Sequence, residues 1–322
     1  MQTDKLPESV KQKAKEELHE NAEHNEAHIE SFRRWIESLP HISYPCEPRL
    51  LLPFLRYAKF IHSKAQARFD NFCTVRGSFQ QGEPSWFHYP PLNDPLLDEY
   101  LKSGIMFELG RTEDNVTMFM IRVAGWDPNK LDRPTLRRFI FMDLDRLTLD
   151  PIGQIAGCGF FCDMAGVTAR HVLLRTSAEE MRTETRAWQE AYPLRLKHLI
   201  YYNEPIVMDT LMDLVENVTS DKIRDRILHI RGKLDKAFDK IPGLKAIIPF
   251  EYGGMNECVE SLIKYNEKKF HEFYSNPPPW RTISVDELKR PDTARNYMKA
   301  CADVDLKAFG TEGTYVQLDP GD

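Results

Sequence analysis

Glycine is scarce where phosphate chemistry would need it. Sixteen glycines are spread over 322 residues, and none form a P-loop or a dinucleotide fingerprint after a strand pattern. No Gly-x-Ser-x-Gly elbow is present, which removes the common serine-hydrolase signature. Long apolar runs are missing as well: nothing approaches the ~20 residues that span a bilayer. The opening Met1-Gln2-Thr3-Asp4-Lys5 runs into charged residues, with no apolar signal region. The six cysteines (Cys46, Cys73, Cys158, Cys162, Cys258 and Cys301) are scattered, and read as free thiols of a reducing cytosol. In that compartment the Asn-Val-Thr sequons at Asn115 and Asn217 are chance matches. A net charge of −6 argues against a general nucleic-acid binder while leaving room for local basic patches. No internal repeat or low-complexity tract is evident.

What is there is an ordinary globular composition, 42% hydrophobic, long enough to bury a large core in a small and a larger unit. Residues 8–37, rich in Lys, Glu, Ala and His, predict one or two polar helices closed by Leu39-Pro40. Two more helices are expected over 50–60 and 63–72, so a helical N-terminal unit ends near residue 80. A proline-marked loop and a short helix over 96–101 follow. Strand and helix signals then alternate: strands over 116–124, 157–163, 196–202 and 227–230, and helices over 134–148, 178–191, 205–218, 233–240 and 256–274. That alternation predicts right-handed crossovers and a largely parallel sheet, an α/β domain. Pro277-Pro278-Pro279 stops the last helix, and the rest reads as an extended tail across the surface.

The polar residues assemble no convincing catalytic site. His24-Asn25-Glu26-Ala27-His28 sets two imidazoles one helical turn apart, but its glutamate is misplaced for a zinc-protease helix, and the segment reads as a solvated face. Cys158 and Cys162 share one face of a predicted strand. Zinc would need two further ligands, so they read as the small-residue lining of a pocket or core. Asp163 and His171 could serve acid–base chemistry, yet Asp163-Met-Ala-Gly166 is equally a turn whose aspartate bonds its own backbone. No nucleophile, base and orienting group come together. We therefore expect no catalytic residue, no metal and no cofactor.

The chain is organised around Tyr192–Arg226. An apolar strand over 196–202 leads to Asn203, a candidate helix N-cap, and to Pro205 in the first helical turn. On the helix expected over 205–218, Val207, Leu211, Leu214, Val215 and Val218 form an apolar face backed by Asp209, Asp213 and Glu216. Thr219 or Ser220 would cap a further turn bearing Lys222, Arg224 and Arg226. Hydrocarbon burial is worth ~0.8 kcal/mol per methylene, so a lipid of about 20 carbons hides roughly 16 kcal/mol from water. A carrier must enclose such a cargo and then open. A helix apolar on its inner face is a plausible door, and the basic residues beside it would draw it to anionic membrane at ~1 kcal/mol each.

These stretches carry a resemblance. Leu55-Arg56-Tyr-Ala-Lys59-Phe60-Ile-His-Ser-Lys64-Ala65 resembles the N-terminal helical motif of CRAL-TRIO proteins. Asp163-Met-Ala-Gly166-Val-Thr-Ala-Arg-His171 is similar to their central strand-and-turn motif. Tyr192-Pro193-Leu-Arg195, Asn203-Glu-Pro205 and Ile248-Pro249-Phe-Glu251-Tyr252-Gly253-Gly254 match the remaining signatures in order. The resemblance spans roughly residues 25–275 and leans toward the tocopherol-transfer and retinaldehyde-binding branch. It implies a helical unit over 1–80, a lipid-binding α/β domain over 81–275 with an apolar cavity under a gate helix, and a tail over 276–322. It further implies a cytosolic, non-catalytic, monomeric carrier of a small hydrophobic ligand that meets phosphoinositide membranes transiently. The positions matching the headgroup contacts are Arg195, Lys197, Lys222 and Arg226. Strand phase and motif position together nominate Phe160, Cys162, Trp188, Leu194, Leu196, Val207, Leu211 and Val215 as pocket residues. A phosphoinositide-responsive adaptor without a dedicated cargo is the alternative, and a lipid-acting enzyme using Asp163 or His171 a third.

Overall fold

The computed structural model describes residues 6–78, 86–168, 171, 187–205 and 221–291. Its helical part comprises α1 (Glu8–Leu18), α2 (Asn25–Glu37), α3 (Pro48–Tyr57) and α4 (His62–Ser78). Each buries the stripe its sequence lays out: Val10, Ala14 and Leu18 on α1, and Ile29, Phe32 and Ile36 on α2. These i, i+3, i+4 and i+7 positions line one side of a helix. The α1 stripe forms a small satellite cluster with Leu6 and Ile155. Phe54 and Phe69 of α3 and α4 meet edge-on at 5.3 Å within the main core.

The rest alternates as the patterning implies. In order come α5 (Pro95–Ser103), β2 (Met106–Arg111), β3 (Thr117–Arg122), α6 (Arg133–Thr148), α7 (Pro151–Ala156), β4 (Cys158–Asp163), β5 (Leu196–Tyr202), α8 (Asp221–Arg224), β6 (Ile227–Ile230), α9 (Asp235–Lys240), α10 (Leu244–Ile247) and α11 (Val259–Tyr274). Short strands β1 (Ile42–Ser43) and β7 (Ser284–Val285) pair with each other. Asp94, Asp132 and Asp150 each sit just before a proline-marked helix start and accept backbone N–H groups of its first turn. Such caps contribute about 1 kcal/mol each.

The main sheet runs β2-β3-β4-β5-β6. β3 to β6 are parallel, and β2 pairs antiparallel with β3. One face carries Phe119, Cys158, Phe160 and Cys162 toward the core shared with the N-terminal helices. The other carries Met118, Met120, Phe161 and Ile200 toward α9, α10 and α11.

Several elements differ from the sequence reading. β2 and the short α7 and α10 were not expected. β2 reads Met-Phe-Glu-Leu-Gly-Arg with a register shift at Glu108/Gly110, and that irregularity breaks the period-2 signal. Of the helix expected over 178–191, the described part, Ala187–Ala191, is a π-helical turn. Asn203 is not an N-cap: its φ is +56°, outside the extended range of a capping residue, and its Nδ2 donates to Asp163 Oδ1 at 3.1 Å. The helix expected over 205–218 falls on residues 206–220, outside those described. The C-terminal segment, as far as residue 291, does cross the surface, but it is strapped down. Trp280 is buried and donates its indole N–H to the Tyr44 hydroxyl at 2.9 Å. Arg290 Nη1 grips both oxygens of Asp70 at 2.9 and 2.8 Å.

Candidate lipid-binding face and cationic cluster

Position on the sheet decides what each candidate residue can touch. On β4, Cys158, Phe160 and Cys162 point to one side, as the two-residue repeat of a strand requires. Burial pushes both thiols up to about 12, so they line this face as neutral, small groups. Trp188, on the π-helical turn, packs edge-on against Phe160 with ring centroids 5.4 Å apart. Leu194, Leu196, Leu199 and Tyr201 join the same cluster and remain only partly buried. A bulge makes this possible. The pairing register skips from Cys158↔Leu196 to Gly159↔His198, so Leu196 shares a face with Leu199 and Tyr201. The structure thus brings together Phe160, Cys162, Trp188, Leu194 and Leu196, whereas Val207, Leu211 and Val215 lie outside the described residues.

β5 is partly exposed along its length except at Ile200. A strand between two parallel neighbours is normally covered on both faces. Among the described residues, its apolar side is therefore incompletely covered. A separate cavity of about 190 Å³ lies between the Tyr89–Leu92 loop and Pro277–Arg281, walled by Arg76, Asp145 and Tyr274. Its walls mix the Arg76 and Asp145 charges with proline, leucine, methionine and aromatic side chains, and none of the candidate pocket residues borders it.

The motif residues act as fasteners for this face. Asp163, ending β4, is a hub: Oδ1 accepts from Ala165 N at 3.0 Å and from Asn203 Nδ2, and Oδ2 accepts the Tyr252 hydroxyl at 2.7 Å. Three signature motifs thereby meet on one carboxylate. His171 is tied as well, with Nδ1 2.8 Å from Thr168 Oγ1 and Nε2 3.3 Å from Trp126 O. Both groups raised for acid–base chemistry thus have structural partners. Buried Glu204, just before Pro205, holds both oxygens 2.9 Å from His229 Nδ1. Tyr192 of the Tyr-Pro motif is clamped from α4, whose Arg68 donates to Tyr192 O and Gln189 O, both at 2.7 Å. Asn71 adds a bond to Glu190 O at 3.1 Å.

This clamp fixes the basic residues that follow. Arg195 and Lys197 flank the amino end of β5, and Lys222 and Arg226 precede β6 beside it. Gly157, at φ +96°, lets the chain pass close: a Cβ there would lie 2.5 Å from Arg195 O and 2.7 Å from Lys197 Cγ. Arg195 also donates to Ile155 O, and Arg226 to Leu196 O. Arg195 Nη2 and Lys197 Nζ both bind Glu17 Oε2 of α1, at 2.9 and 3.2 Å. Lys222 is exposed and has no carboxylate partner among the described residues. Its ammonium is pushed down by desolvation, then by the charges of Arg226, Lys59, Arg195 and Arg68. All four sequence-nominated cations therefore lie at the amino ends of β5 and β6. Lys59 and Arg68, which sequence reasoning missed, belong with them. Lys59 and Phe60 have φ of +53° and +58°, a left-handed pair that non-glycine residues adopt at a cost. Nothing in the local sequence announces that turn.

Glu17 carries a pH consequence. Burial alone would raise its carboxyl, but the Arg195 hydrogen bond and the Lys197 charge outweigh it and lower it to about 2. A depressed carboxylate stabilises above its unfolded pKa near 4.5, and that contribution fades as pH falls toward 2. With a third of the side chain exposed, solvent screening leaves about 1 kcal/mol.

Residues 101–254 match the CRAL/TRIO domain family. The matched span holds all five strands of the main sheet. The family is one of lipid-binding and lipid-transfer proteins. Alpha-tocopherol transfer protein-like from Homo sapiens is 26% identical over 254 residues, covering 77% of this chain and 71% of that protein. Clavesin-2 from Homo sapiens is 24% identical over 251 residues, covering 77% and 74%. The crystal structure of Sfh5 aligns with 85% of this chain and 95% of that one at 15% identity and a TM-score of 0.41, a likeness too distant to inform the site. No described helix is long and apolar enough to cross a membrane.

Proposed function

We propose that this CRAL/TRIO protein is a cytoplasmic, monomeric carrier. It would enclose one small hydrophobic molecule against the apolar face of β4 and β5 and exchange it at phosphoinositide-containing membranes. The observation that carries this reading is the partly open face around Phe160, Trp188 and Leu196, beside a cationic cluster at the amino ends of β5 and β6. In this reading residues 1–80 form the helical unit, 81–275 the lipid domain and 276–322 a tail. The segment after Pro205 closes the face with Val207, Leu211 and Val215, and opens at the membrane. The Glu204–His229 pair steadies its entrance. The relatives named alpha-tocopherol transfer protein-like favour a terpenoid-like cargo such as a tocopherol, retinoid or carotenoid.

The deciding experiment is extraction of the protein from its native tissue and mass spectrometry of the bound lipid. A single apolar species near equal stoichiometry is expected. No lipid, or a random mixture, would overturn the carrier and favour a phosphoinositide-responsive adaptor. Once the cargo is known, Leu211→Arg is expected to abolish its uptake, because a guanidinium facing hydrocarbon costs several kcal/mol. Normal uptake by that variant, followed by fluorescence or radiolabel, would remove Leu211 from the pocket.

A further inference from the structure

The cationic cluster already holds an anion of its own. Glu17 Oε2 binds Arg195 Nη2 at 2.9 Å and Lys197 Nζ at 3.2 Å, and its Oε1 lies 3.4 Å from Lys13 Nζ. One carboxylate is thus shared by three cations, two of which are the proposed headgroup contacts at the amino end of β5. It comes from 178 residues away in sequence, on a helix held by its own contacts. Val10, Ala14 and Leu18 of α1 pack on Ile155 of α7. Just beyond α1, buried Glu20 binds Arg56 through Nε at 3.0 Å and Nη2 at 2.9 Å. These contacts fix the helix axis, while the Glu17 side chain stays one-third exposed and can swing away. Lys222 and Arg226 have no such counter-ion among the described residues.

We infer that Glu17 is a built-in counter-anion that an incoming membrane headgroup must displace from Arg195 and Lys197. It thereby sets the charge threshold for docking. This inference rests on the proposed membrane reading of that site. The occupant it fits is a bilayer phosphoinositide with several phosphate charges, because charge complementarity decides the exchange. A multiply charged phosphate offers Arg195 and Lys197 more than the carboxylate it replaces and can reach Lys222 and Arg226 as well. A lipid with a single net charge, such as phosphatidylserine, offers no more than Glu17 does. With its carboxyl held at about 2, Glu17 stays ionised throughout the physiological range, so the threshold is set by displacement rather than by protonation.

The test measures flotation of the full chain with phosphatidylcholine vesicles. One set contains a phosphatidylinositol bisphosphate and a second contains phosphatidylserine at matched surface charge. Glu17→Gln keeps the side-chain shape and the α1 contacts. It should raise affinity for both vesicles about tenfold or more, since it releases two cations worth roughly fivefold each near an anionic surface. Binding to phosphatidylserine vesicles should become measurable only in this variant. The decisive comparison is the same substitution in an Arg195→Ala/Lys197→Ala background. There a counter-anion has nothing to release, so the gain should vanish, whereas a mere change of net charge would persist. Titration with soluble inositol trisphosphate reports the headgroup without a bilayer, and a gain there on Glu17→Gln is expected too.

If Arg195→Ala/Lys197→Ala loses phosphoinositide binding but Glu17→Gln changes nothing, or binds less, the counter-anion is refuted and the docking site stands. A gain that survives in the double-alanine background refutes it in the same way. If the double-alanine variant binds as well as the parent, the docking reading itself fails, and this inference with it.

Discussion

Replacing Arg76 with alanine is expected to destabilise the protein by about 3–5 kcal/mol, the usual cost of orphaning one partner of a buried ion pair. The Arg76 side chain is 2% exposed and that of Asp145 is fully buried, with Nη2 and Oδ1 2.5 Å apart. The guanidinium sits over the rings of Phe72, Phe87 and Trp280, at 4.9, 4.4 and 4.9 Å. Asp145 also accepts the Tyr89 hydroxyl at 2.5 Å and the Tyr192 hydroxyl at 3.3 Å. One pair therefore ties α4, α6, the Tyr-Pro segment and the C-terminal strap. In Arg76→Ala, Asp145 keeps only its two phenols, and burial, which already raises its carboxyl, raises it further. A carboxyl whose folded pKa lies above its unfolded value binds protons more readily when folded. The stability deficit of Arg76→Ala relative to the parent should therefore shrink as pH falls from 7 toward 5. Urea unfolding at both pH values checks this. The thermal midpoint should drop by ~10 °C at pH 7. A deficit below about 1 kcal/mol would show that the aromatic cage alone carries this junction.

Much of the fold was legible because the chain repeats simple signals. Asp94-Pro95 and Asp132-Arg-Pro134 stand at the starts of two helices that the sequence placed, and the apolar runs of β3, β4 and β5 are those of a parallel sheet. What escaped was short or irregular. β2 carries a bulge at an antiparallel edge, and β1 and β7 are two residues each. Their pairing joins positions about 240 residues apart, and no local window records such a partner. Asn203 misled for a definite reason. Before a proline it has the chemistry of a cap, but the demand of Asp163 for a donor turns it into the left-handed region instead.

The candidate site was legible on the strands and much less so around them. Phase along β4 placed Phe160 and Cys162 correctly on one face, and the motif order brought Trp188, Leu194 and Leu196 to it. The β5 bulge that keeps Leu196 on that face is invisible in Leu-Lys-His-Leu-Ile-Tyr-Tyr, where simple alternation would put Leu196 and Leu199 on opposite sides. Glu17 lay within a stretch rich in Lys and Glu that reads only as a polar helix, and its partners Arg195 and Lys197 are far along the chain. Lys59 and Arg68 were hidden likewise, because charge adjacency across elements is a tertiary property. Sequence gives the sign of a patch only after the fold has gathered it.

Converting Arg195, Lys197, Lys222 and Arg226 together to alanine should lower affinity for phosphoinositide vesicles about a thousandfold. The estimate takes ~1 kcal/mol per basic residue near an anionic surface, with tenfold for each 1.4 kcal/mol. The four differ in what else they do, and that sets the controls. Arg195 and Arg226 also bond the carbonyls of Ile155 and Leu196 at the amino end of β5, so their loss can loosen the strand as well as weaken docking. Lys222 is exposed, and the charges acting on it most strongly are those of other cations. Lys222→Ala alone is therefore the clean probe: about fivefold weaker binding with an unchanged thermal midpoint. A surface effect must also fade as the Debye length shortens. The gap between parent and quadruple variant should accordingly narrow steeply between 0.1 and 0.5 M salt. A gap that persists at high salt would mean that the substitutions had damaged the β5–β6 edge. Unchanged binding at low salt would mean that the cluster does not meet the membrane at all.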